Sequence, residues 1–106
     1  MPTAVQPIQK QNIFERPGVR AVRLSIQSGH AVPTHSSNVD VTAVTVKGAG
    51  TFTVEGKPTH LEPGVVVEMR PDTAHSVAAD AGHDLELVVL HYRLSADSPV
   101  AVHCGA

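Results

Sequence analysis

Seven histidines in a chain of 106 residues are the side chains with the most chemistry to offer. An imidazole ligates metals, carries protons near neutral pH or hydrogen-bonds a small molecule. His30 and His35 stand in Ser28-Gly29-His30-Ala31-Val32-Pro33-Thr34-His35-Ser36-Ser37-Asn38-Val39-Asp40, ahead of a long apolar segment. His75 opens another such segment after Arg70-Pro71-Asp72-Thr73-Ala74. About forty residues separate His35 from His75, so only tertiary structure brings them together. His91 shares strand parity with Leu85, Leu87 and Val89, which could turn it inward, but a satisfied core or rim position fits it better. His60 beside Pro58 reads as exposed, His83 sits in a turn, and His103 adjoins Cys104, a pair too small to make a metal site alone. No nucleophile stands out. Cys104 is the only cysteine, no serine sits in a glycine elbow, and no glycine loop is built to cradle phosphate.

The elements that would position these histidines are strands. Valine alone accounts for 17 residues, and its β-branched side chain is stiff at χ1 and packs well on a pleated surface. Apolar segments recur at Val19 to Ile26, Val39 to Val46, Thr51 to Glu55, Val65 to Met69, His75 to Ala79 and Leu85 to Tyr92. Gly, Pro and Asp punctuate them, as in Gly48-Ala49-Gly50 and Glu62-Pro63-Gly64, which is the spacing of a sandwich or barrel. The fold class is therefore all-β, with a short helical turn allowed for near Ile8 to Phe14. Apolar residues on both parities in Val65-Val66-Val67 and after Leu87 call for cover on both faces. In so short a chain that means closure into a barrel or pairing with a second copy, so a homodimer is expected. Residues 1 to 17 and 95 to 106 read as arms.

Length and charge exclude other classes. The chain holds one domain at most. Its formal net charge is −2 with Lys and Arg scattered singly, so it has no basic stripe for nucleic acid. No apolar run approaches the roughly 20 residues that span a bilayer. The opening Met-Pro-Thr-Ala-Val-Gln has neither a charged nor an apolar leader region, so a cytoplasmic location is expected.

The order of residues from about 19 to 92 resembles the cupins, small jelly-roll domains also described as RmlC-like double-stranded β-helices. Their first motif begins on Gly, places His six residues later, a second His two further on and a Glu about four after that, and closes on Gly. Gly29, His35 and Gly48 match it. In their second motif, Pro-Gly and a short strand lead to Pro, Thr and His, and Pro63, Gly64, Pro71, Thr73 and His75 match. The resemblance implies a β-sandwich barrel comprising the single domain 1–106, with its core at about 19–92.

It also implies a divalent transition metal (Fe, Mn, Ni, Cu or Zn) held by His35 and His75, although the site departs from the family. Ser37 stands at the second His position and Val41 at the Glu position, with Asp40 one residue early. Asp40 would face the site only if a bulge re-aimed it. Asp40, His30 and His91 are the candidates to complete the set, and Ser37, Phe52, Met69 and the valines are the expected pocket walls. Two functions stay open. One is an enzyme whose metal on His35 and His75 acts on a small organic acid. The other is a metal-free, non-catalytic module that binds or senses a small molecule.

Overall fold

The structure is a computed structural model and describes residues 6–93. Nine strands make it up: β1 (Ile8–Arg16), β2 (Val19–Ile26), β3 (Ala31–His35), β4 (Asp40–Lys47), β5 (Gly50–Val54), β6 (Lys57–Leu61), β7 (Val66–Met69), β8 (His75–Ala79) and β9 (Leu85–Tyr92). β2, β8 and β9 span the expected limits, and β4, β5 and β7 begin within one residue of theirs. Tight turns join neighbours. Glu55 and Gly56 both take positive φ, 49° and 82°, between β5 and β6, the backbone that matches the twist of a two-residue hairpin.

The strands form two antiparallel sheets, ordered β1-β2-β9-β4-β7 and β3-β8-β5-β6. Leu24, Ile26, Val41, Ala43, Leu85 and Leu87 from the first sheet meet Phe52, Leu61, Val77 and Ala79 from the second in one core. This arrangement is a two-layer jelly-roll sandwich in which each sheet keeps its edge strands, rather than one continuously closed barrel.

Three strands depart from the sequence reading. The segment Ile8 to Phe14 is extended, not helical, because it pairs along β2 from Ile8↔Ile26 to Arg16↔Val19. Ile13 is the extra residue in that ladder, where Asn12 pairs with Val22 but Phe14 with Ala21. The stretch read as an N-terminal arm is thus mostly an edge strand. β3 and β6 carry Pro33 and Pro58. Both strands lie at sheet edges, where a residue lacking an N–H is tolerated. The C-terminal arm, His103 and Cys104 lie outside the described residues.

Candidate functional site

His35 reaches the site through an irregularity in β3. Val32 pairs with Val77 and His35 with His75, so three steps on β3 match two on β8. In a regular strand, His35 would face away from the side that carries Val32. The extra residue at Pro33-Thr34 reverses that and sets His35 opposite His75. The loops on either side are tied together by the Asp72 N–H, which donates to the Ser37 carbonyl at 2.7 Å.

The two imidazoles are held in the same way. His35 Nδ1 donates to the Pro33 carbonyl and His75 Nδ1 to the Thr73 carbonyl, each at 2.8 Å. A carbonyl oxygen only accepts, so both protons reside on Nδ1 and both Nε2 atoms keep a lone pair in the neutral ring. The ring centroids are 4.3 Å apart at 61°, and Phe52 stacks on His75 at 5.8 Å. His75 is 6% exposed. Burial lowers its pKa from the ordinary histidine range; the Thr73 hydrogen bond works against that and the His35 charge adds to it. His75 is therefore neutral at pH 7, ready to accept a hydrogen bond or donate a lone pair.

These rings open into a cavity of about 260 Å³ between the sheets. Val22, Leu24, Val32, Val41, Phe52, Val77 and Val89 make it largely apolar, and Ser37 and His91 also line it. Its volume falls below the roughly 300–1,000 Å³ of sites for drug-sized ligands. It suits a molecule of a few carbons.

The remaining expected residues separate clearly. His91 is the cross-strand partner of both Arg20 and Val41 and lines the cavity. Burial lowers its pKa first, followed by the charges of Arg20, Lys10, His75 and His35. Its Nδ1 is buried without a hydrogen-bond partner among the described residues. Asp40 does not join the site. The β4 ladder runs from Asp40 to Thr45 without a shift, so alternation turns Val41 into the cavity and Asp40, paired with Tyr92, away from it. Met69 is also outside the lining. It sits opposite Val41 on edge strand β7, packed into the core at 5% exposure. His30 lies at the far end of β3, its carbonyl bonded to the Ala79 N–H, away from the cavity. The residues missed in sequence are Lys10 and Arg20, both in the lining. Lys10 was unreadable without recognising β1.

The motif spacing, two-sheet topology and paired histidines all point one way, and residues 22–91 match the cupin domain family. The chain is a cupin. Solved structures agree on the fold. A cupin from Bacteroides fragilis superposes with a TM-score of 0.77 at 15% identity, over 100% of this chain and 94% of that one. KdgF from Halomonas sp. gives 0.75 at 23% identity, over 88% and 86%. An RmlC-like cupin from Desulfovibrio desulfuricans gives 0.73 at 23%, over 84% and 89%. At these identities the likeness concerns the fold alone. No curated protein matches by sequence.

Cupins often bind metals, and the locked Nδ1 atoms of His35 and His75 are how ligating histidines are oriented. The donor set is nevertheless incomplete. Among the described residues, no three His, Cys, Asp or Glu side chains stand together as metal ligands. Val41 fills the carboxylate position, and Ser37 offers a hydroxyl that stays protonated at neutral pH. Two imidazoles alone do not fit a metal held by the protein's own side chains.

Proposed function

We propose that this cupin binds a small organic molecule directly between its sheets, with the Nε2 atoms of His35 and His75 as hydrogen-bond acceptors and no resident metal. The observation that carries this reading is the pairing of two carbonyl-locked imidazoles with a small apolar cavity in which, among the described residues, no three metal-ligating side chains stand together. Binding is the role it supports, because each Nδ1 is committed to a carbonyl and each Nε2 is left to accept a hydrogen bond. The test is metal analysis of protein purified without an affinity tag and washed with chelator. Far less than one metal per chain, unaffected by His35→Ala or His75→Ala, is the expected result. Near-stoichiometric metal that His75→Ala removes would overturn it.

A second reading has the locked Nδ1 atoms in its favour. In it, a divalent ion rests on His35 and His75 and the bound molecule completes its shell. Metal uptake that depends on such a molecule being present would support this version over the first.

We also propose a homodimer through the outer face of the five-stranded sheet. Alternation places Phe14, Ala21, Val44, Val66, Val88 and Leu90 on that face, with Phe14 and Val66 43% and 52% exposed. Sedimentation equilibrium should give twice the chain mass, and Phe14→Glu with Val66→Lys should return it to one.

A further inference from the structure

The charge around the cavity refines the metal-free binding reading, on which this inference rests. Lys10 from β1 and Arg20 from β2 line the same cavity as His35, His75 and His91, and among the described residues no Asp or Glu does. The strand register accounts for this. Lys10 opposes Leu24 and Arg20 opposes His91, so both cations project on the sheet face that carries Val22 and Val89. Glu15 is the β1 partner of Arg20 and lines a neighbouring groove that shares Arg20, Ser37 and His91 with the cavity, but it is not in the cavity lining itself. Among the described residues, neither Lys10 nor Arg20 enters an ion pair. Their charges also act inside the cavity, adding to the effect of burial on His91.

Positive charge facing an apolar space whose described lining carries no carboxylate favours an anionic guest, because the guest supplies a partner there. A carboxylate suits two long, exposed cations at a rim. The acceptors deeper in require something different. Neutral His75, its Nδ1 committed to Thr73, offers only a lone pair, which a hydroxyl group satisfies and a carboxylate does not. We propose that the cavity takes a small hydroxy acid, its carboxylate held between Lys10 and Arg20 and a hydroxyl donating to Nε2 of His75 or His35. The polar ends of one molecule then meet the two kinds of polar group that line the cavity, while its carbon chain lies against Val22, Val41 and Phe52.

The experiment follows the side-chain resonances of His35, His75 and His91 by nuclear magnetic resonance in chelator-washed protein. The probes are malate and gluconate, with the uncharged malamide and sorbitol as counterparts. Saturable shifts with the acids and none with the neutral molecules are expected, as is binding weakened about tenfold in a Lys10→Gln, Arg20→Gln variant. Both substitutions are at exposed positions, and an unchanged unfolding midpoint checks that the fold survives. Equal binding of acids and neutral molecules, or full affinity in the double variant, would overturn the anion proposal and leave the cavity reading in place. Silence from all four probes would count against both.

Discussion

At the cavity end of the sandwich, Lys10, Arg20, His35, His75 and His91 face one space with no carboxylate in its lining among the described residues. At the opposite end of the same strands, Lys47, His83, Asp84 and Glu86 line a wider cleft of about 540 Å³. There the carboxylates are engaged. Asp84 Oδ1 accepts the Ser28 N–H at 2.9 Å, Ser28 Oγ accepts the Gly82 N–H at 3.2 Å, and Glu86 pairs with Arg23 at 3.6 Å. The larger opening is therefore the structural one. What favours the smaller as the proposed binding site is its set of polar groups without partners among the described residues.

The sharpest way to break this contrast is at Gly48, beside the wide cleft. Its φ is +93°, and a Cβ there would run into the backbone carbonyl of Asp84. Gly48→Ala should cost about 3 kcal/mol or more in urea unfolding, through strain and overpacking together. A loss under about 0.5 kcal/mol would show that this end is loosely held, and the distinction would fail.

Acid stability probes the other end. His75 and His91 have folded-state pKa values below the unfolded reference of about 6.5. Below that reference the unfolded chain takes up protons that the folded chain resists, so stability should fall as pH drops from about 6.5, until the folded-state values are passed. Above it these two groups contribute no pH dependence. Urea midpoints across that range check the sign, and a His75→Gln, His91→Gln variant should show a shallower acid limb. A flat profile in the unmodified protein would contradict the burial argument.

Smaller effects sharpen the picture. Asp84→Ala removes the acceptor for the Ser28 N–H and should destabilise by about 1 kcal/mol, without altering the histidine resonances in the cavity. Arg23→Gln breaks an exposed ion pair and should cost about 0.5 kcal/mol or less. A larger loss than from Asp84→Ala would mean that the Arg23–Glu86 contact does more than decorate the surface.

Much of this molecule is legible in its residues. Val19 to Ile26 and Leu85 to Tyr92 are strands in a valine-rich chain because β-branched packing and turn punctuation act locally. His35 and His75 stand out because the motif spacing is linear in sequence. Other features depend on partners far away in the chain. Ile8 to Arg16 carries Lys, Gln and Asn with weak alternation, and it becomes a strand only because the edge of β2 is there to pair with it. Met69 reads as a pocket wall, but its pairing with Val41 on the inner face packs it into the core.

By itself, the sequence determined the all-β class, the cupin motif order and the two histidines at the motif positions. These rest on local propensity and spacing. Tertiary structure decided which side chains share a space. The bulge at Pro33-Thr34 turns His35 toward His75, an unbroken β4 ladder keeps Asp40 out, and strand register carries Lys10, Arg20 and His91 to one cavity. A one-residue shift reverses the face of a strand, and whether it occurs depends on pairing across the sheet.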